Sequence, residues 1–185
     1  MATQLRFLGI SGSLRKQSLN TALLRNAQDL LPGGVTLEMA DLSVIPLYNG
    51  DVEATGIPES VLQLRRQVEQ ADAVVLATPE YNYSIPAVMK NAIDWLTRSG
   101  NPAILSGKPV ALMGAGGGMG TSRAQYHLRQ VLVYTNALVI NKPEVFVTQA
   151  AGKFDAEGRL HDEPTRAVLA EMLASLADWS VRLKK

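Results

Sequence analysis

A chain of 185 residues with 46% hydrophobic and 19% charged residues can bury a full core, and its length suits one domain over residues 1–185. The formal net charge of +1, without any Lys/Arg block, argues against a nucleic-acid partner, and no apolar run approaches the roughly 18 residues that span a bilayer. Cysteine is absent, which excludes disulfide scaffolds, thiolate zinc sites and cysteine nucleophiles, so redox chemistry must come from a cofactor.

The run Leu5 to Ile10 is short, continuous and apolar, and reads as a buried strand. A turn, Gly9-Ile-Ser-Gly-Ser-Leu-Arg-Lys-Gln-Ser-Leu-Asn20, leads into a helix over 18–31 with Ser18 placed to cap it. Its composition suits an anion. Ser11, Ser13 and Ser18 offer hydroxyls, Arg15 offers a guanidinium fork, Gly12 admits close backbone approach, and a helix N-terminus presents unpaired N–H groups. A phosphorylated cofactor is the ligand such a turn favours; an ordinary capped strand-to-helix connection is the plainer alternative.

Further along, Val35 to Met39 reads as a second strand, and 41–56 as the longest irregular connection, with 46–50 either a packed loop or a wall of the site. A helix over Glu59 to Ala71 follows Pro58 and gathers Val61, Leu62, Leu64 and Val68 near one face. The third strand is Ala73 to Thr78, and a helix from Pro86 to Arg98 places Val88, Met89, Ala92, Ile93 and Leu96 inward. Residues 99–108 read as an irregular return to the sheet, leading to strands at Pro109 to Gly114 and Ala137 to Ile140 with a helix over 122–134 between them. Asp162 caps a last helix, with Pro164 in its first turn and Val168, Leu169, Met172, Leu173, Leu176 and Leu183 at helical spacing.

Continuous apolar strands alternating with amphipathic helices predict a doubly wound α/β fold, a five-stranded parallel sheet with helices on both faces. Such sheets bind ligands at the carboxyl ends of their strands, where strand order reverses. Three loops stand there: 12–17, 79–85 and 115–121.

The second loop is bracketed by Pro79 and Pro86, which restrict the backbone so that its polar groups and tyrosines can face a planar ring. GSLRKQSLN followed by TPEYNYSIPAVMKNAIDW resembles the NADPH-dependent FMN reductase family, of flavodoxin-like fold, across nearly the whole chain. That resemblance implies that Ser13, Arg15, Ser18 and Asn20 hold the FMN phosphate, with backbone N–H groups from Leu14, Lys16, Gln17 and Leu19. It implies further that Pro79, Glu80, Tyr81, Asn82 and Tyr83 line the flavin rings, and Ala115 is a further expected contact.

The third loop, Gly114-Ala-Gly-Gly-Gly-Met-Gly120, is not a GxGxxG fingerprint, because Met119 stands where glycine is required; no GxxxxGK[ST] exists either. Where family members carry polar residues, this chain has Gly116, Gly117 and Gly118. The expected activity passes hydride or electrons from NADPH or NADH through FMN to a small acceptor such as a quinone, free flavin, azo compound or chromate. No side chain is required as a catalytic base. Glu80 has two readings, a steering carboxylate and an outward surface group, and takes no catalytic role. Tyr83, Arg123, Tyr126 and Glu144 are candidates for a subunit contact or a solvated face, and similar proteins form homodimers or homotetramers.

An electron carrier without a nicotinamide site is the rival reading, opposed by the balance of 18 basic and 17 acidic residues. A scaffold that has lost its cofactor is opposed by the intact first loop. His127 and His161 stand too far apart to suggest a metal site, and the lack of a signal pattern predicts a cytoplasmic protein.

Overall fold

The computed structural model describes residues 4–98 and 104–184. Residues 99–103, half of the expected return segment, lie outside them. Strands β1 (Leu5–Ser11), β2 (Val35–Ala40), β3 (Ala73–Ala77), β4 (Pro109–Ala115), β5 (Leu138–Val139) and β6 (Val145–Val147) form one sheet, ordered β2-β1-β3-β4-β5, with β6 also paired to β4. Every pairing is parallel.

Strands β3 and β4 are apolar throughout because each faces two cores, whereas β1 exposes Arg6 and the edge strand β2 exposes Thr36 and Glu38. Phe7, Ala73, Val75, Ala111 and Met113 point to one, while Leu8, Ile10, Val74, Leu76, Val110 and Leu112 point to the other. Helices α1 (Leu19–Gln28) and α6 (Glu163–Leu183) cover the first face. Helices α3 (Glu59–Gln70), α4 (Ala87–Leu96) and α5 (Ser122–Tyr134) cover the second. Successive side chains of a strand point to opposite faces, so two buried faces leave no polar alternation in the sequence.

The five expected strand positions are present, and the fifth is divided between two short strands. Val110 pairs with Val139, and Met113, further along the same edge of β4, pairs with Val145. β5 and β6 thus share the fifth position, split by 140–144, which contains a cis Lys142–Pro143 bond. Only half of that position is the run Ala137 to Ile140; the three residues of β6 are too few to show a period.

The 41–56 connection also holds a short helix, α2 (Gly50–Thr55), capped by Asn49, whose side chain accepts from the Asp51 N–H at 2.9 Å. It has no buried residue, and so no apolar stripe marked it in the sequence. The 46–50 segment is a surface turn pinned to α4 through Pro46 and Tyr48. The Pro46 carbonyl accepts from Asn91 Nδ2 and Trp95 Nε1, both at 2.8 Å, and Tyr48 meets Trp95 edge-on at 5.0 Å. It does not line the cleft described below.

The long α6 starts at Asp162, whose carboxylate accepts from Thr165 N at 3.0 Å and Thr165 Oγ1 at 2.5 Å. The Thr165 hydroxyl, the main cause, holds this carboxyl below its ordinary value, with Lys153 3.3 Å away adding to the effect. A depressed folded pKa contributes stability above the unfolded value of about 3.9, and that contribution is lost as pH falls through the folded value. Asp162→Ala is therefore expected to lower the thermal midpoint at pH 7, with the gap to wild type closing at acid pH, while Asp162→Asn keeps the cap throughout. Melting curves of the three proteins between pH 7 and pH 3 check this, and a gap independent of pH would contradict it.

Candidate active site

The chain reverses its direction of winding between β1 and β3, and the loops after β1, β3 and β4 converge there. Gly12 sits at the junction of the first two. Its N–H donates to the Ala77 carbonyl at 2.9 Å, and a Cβ there would come within 2.8 Å of Pro86 Cγ and 3.2 Å of Pro79 Cδ. The prolines that bracket the second loop are thus seated on the bare backbone of the first.

Beyond Gly12 the first loop folds on its own hydroxyls. Ser11 Oγ lies 2.8 Å from Thr21 Oγ1 and accepts from the Ser13 N–H at 3.3 Å, and Ser13 Oγ accepts from Arg15 N at 3.4 Å. Ser18 caps α1 by accepting from Thr21 N at 3.2 Å, and its own N–H donates to the Arg15 carbonyl. Among the described residues no acceptor meets the N–H groups of Leu19 and Asn20, both at the cleft. The Asn20 side chain faces elsewhere: Nδ2 donates to the Ala115 carbonyl at 3.0 Å and Oδ1 accepts from Ala115 N–H at 2.9 Å. Only 4% exposed, it joins the first loop to the third, with one of its two amide N–H groups engaged by Ala115.

In the second loop Tyr81 and Ser84 exchange backbone hydrogen bonds, both 3.0 Å, around Asn82 and Tyr83 at φ 50° and 67°. Two consecutive left-handed residues make a tight hairpin turn, and a tyrosine there is strained by roughly 1–3 kcal/mol. Helix α5 holds the turn in place. Glu80 Oε1 accepts from Arg123 Nε at 2.5 Å and pairs with Nη2, while Oε2 accepts from Ala124 N–H in the first turn of α5 at 3.3 Å. The Arg123 guanidinium lies 3.6 Å from the centroid of the Tyr83 ring, and His127 Nδ1 lies 3.1 Å from Ser84 Oγ. Bonding to Glu80 raises the Arg123 pKa further, so the guanidinium stays charged. Glu80 is neither of the two things its sequence context suggested. With a side chain 10% exposed, it turns inward and anchors the flank of the loop to α5.

The third loop rests on the residues after β6. Gly116 N–H donates to the Val147 carbonyl at 3.0 Å, and the Gly116 and Gly117 carbonyls accept from Ala150 N and Gln149 N. Together the three loops enclose a cleft of about 530 Å³. Ser13, Arg15, Ser18, Leu19 and Asn20 line it from the first loop, Pro79, Glu80 and Tyr81 from the second, and Ala115 from the third. Leu14, Lys16, Gln17, Asn82 and Tyr83 stand outside its lining. Gly116 to Thr121 and Arg123 line it as well; the glycine-rich composition marked this loop, whereas nothing local marked Arg123 as a cleft residue. Tyr126 Oη donates to Glu144 Oε1 at 3.1 Å and Arg123 lies over the Tyr83 ring, so all four candidate contact residues meet partners within the chain. Among the described residues no cluster of potential metal ligands occurs, and no helix is long and apolar enough to cross a membrane.

The family described as NADPH-dependent FMN reductase matches residues 5–152. An NAD(P)H-dependent FMN reductase of Pseudomonas aeruginosa is 50% identical over 185 residues, covering 100% of both chains. An NADPH:quinone oxidoreductase of Arabidopsis thaliana is 44% identical over 97% of this chain and 94% of its own. Among solved structures, FerB, an NAD(P)H:(acceptor) oxidoreductase from Paracoccus denitrificans, superposes with a TM-score of 0.88 at 36% identity, covering 96% of this chain and 98% of its own.

Replacing Asn20 by alanine leaves the N–H and carbonyl of Ala115 buried without partners, which costs about 1–3 kcal/mol. Urea denaturation of Asn20→Ala is expected to show that loss with an unchanged slope. Stability equal to wild type would mean that the third loop does not depend on the bridge.

Proposed function

The chain belongs to the NADPH-dependent FMN reductase family, and we propose that the three-loop cleft is where its FMN binds. The protein is an NAD(P)H-dependent oxidoreductase, as its relatives at 50% and 44% identity are named. One observation carries the placement of the cofactor. The N–H groups of Leu19 and Asn20 at the start of α1 have no acceptor among the described residues, beside the hydroxyls of Ser13 and Ser18 and an exposed Arg15 that enters no ion pair among those residues. Unpaired donors, hydroxyls and a free guanidinium at a helix N-terminus match a phosphate dianion.

Pro79, Glu80 and Tyr81 form the wall that would support the rings, with Ala115 beyond. Asn82 and Tyr83 shape that wall through the turn rather than lining it, and Leu14, Lys16 and Gln17 shape the phosphate loop in the same way. When bound, FMN supplies the hydride and one-electron chemistry that the side chains of a chain without cysteine lack. The protein binds, orients and tunes. Both Glu80 oxygens accept hydrogen bonds from α5, which gives this carboxylate a positioning role at the edge of the cleft. Small acceptors such as quinones, free flavins, azo compounds or chromate fit the open mouth. Exposed Tyr83, Met119 and Tyr126 favour a homodimer or homotetramer covering that side.

Purified protein reconstituted with FMN is expected to bleach anaerobically on addition of NADH or NADPH. A yellow protein inert to both nucleotides would instead favour an electron carrier. Arg15→Ala is expected to weaken FMN binding by about 10- to 100-fold, the value of a charge-assisted contact, with the thermal midpoint of the apoprotein held. An unaltered FMN dissociation constant, read from flavin fluorescence, would remove Arg15 from the phosphate site.

A further inference from the structure

The glycines of the 114–120 loop divide into two kinds. A Cβ on Gly114 would collide with the Thr121 side chain and lie 2.6 Å from the Thr78 carbonyl. Gly120 has φ 53°, and a Cβ there would lie 2.7 Å from the backbone of Phe146; one on Gly116 would meet Thr121 Cγ2 at 3.1 Å. These glycines are required by contact or conformation. Gly117 and Gly118 are not. Neither lies in the left-handed region, a Cβ on Gly117 would meet nothing within 4 Å, and one on Gly118 would meet only Gln149 Nε2 at 3.9 Å.

Glycine raises the entropy lost on folding, so two glycines that backbone and packing do not require lower stability without helping the fold. What they change is the cleft, since both line it and leave a stretch of its third wall, between Ala115 and Met119, without side chains. Met119 and Tyr81, 52% and 46% exposed, border the same opening with a flexible thioether and an aromatic ring, both suited to a flat π-system. We propose that Gly117 and Gly118 are specificity-determining residues, keeping the cleft wide enough for planar multi-ring acceptors, with Gly118 setting the largest that enters. This rests on reading the cleft as the reductase site. The exchange itself is balanced: NAD(P)H yields a hydride and leaves oxidised, and a quinone gaining that hydride equivalent and a proton from water becomes a hydroquinone.

The test compares wild type, Gly118→Val and Gly117→Ala, each reconstituted with FMN, because open space at both positions lets the variants fold. Three quantities are measured: the FMN dissociation constant by fluorescence, the thermal midpoint, and kcat/KM for anthraquinone-2-sulfonate relative to p-benzoquinone. In Gly118→Val the anthraquinone-to-benzoquinone ratio is expected to fall by about tenfold or more, with a smaller fall in Gly117→Ala and FMN affinity retained in both. An unchanged ratio would overturn the proposal. So would weakened FMN binding with both acceptors slowed alike, since the bare wall would then belong to the flavin's own seat. Wild-type protein that neither nucleotide bleaches would overturn the reductase reading itself, which separates the two failures.

Discussion

The Asn20 carboxamide, closing in both directions on the peptide of Ala115, is the contact on which the geometry of the cleft depends. It comes from the first turn of α1 and ends on the last residue of β4, two strands away in the sheet. A parallel sheet spaces its strands regularly, but the loops beyond their carboxyl ends have no ladder to hold them. A buried amide with both ends engaged is such a hold, because either partner left alone in a dry interior is penalised. Gly12 does the matching work between the first and second loops by admitting Pro79 and Pro86 against its backbone. The phosphate-type donors of α1 are thereby set at a constant distance from both other walls.

The second loop is built against local preference. Asn82 and Tyr83 both lie in the left-handed region, where a bulky aromatic residue is strained, and the turn persists because α5 over-determines it. Arg123 serves twice, pairing with Glu80 and lying over the Tyr83 ring, while the N-terminus of α5 donates Ala124 N–H to the same carboxylate. Placing an acidic side chain at a helix N-terminus is favourable in itself. Here it also fastens the flank of the second loop to a helix that begins directly after the glycine-rich wall. One wall of the cleft is braced by ion pairing, while the opposite one is bare of side chains from Gly116 to Gly118.

Much of this was legible along the chain. The five apolar runs, the alternation with helices and the three loops at the carboxyl ends all stand in the structure, as does Ser18 as the cap of α1. The misses share a cause. α2 is wholly exposed, β6 is three residues long, and neither displays a period over enough residues to be seen. The inward turn of Glu80 was hidden because its partner, Arg123, lies 43 residues away, and the bridge made by the Asn20 side chain because Ala115 lies 95 residues away.

By itself, then, the order of residues determined the α/β class, the burial of the central strands on both faces and a turn rich in hydroxyls and glycine at a capped helix start, though not the exposure of Thr36 and Glu38 on the edge strand β2. These follow from periodicity, capping and backbone chemistry, which act over a few neighbouring positions. Only the tertiary structure decided that Asn20 is a bridge, that Glu80 faces inward, that the last sheet position is shared by two short strands and that Gly117 and Gly118 border open space. Each is a matter of what approaches from a distant part of the chain, and such meetings are settled by packing rather than by local preference.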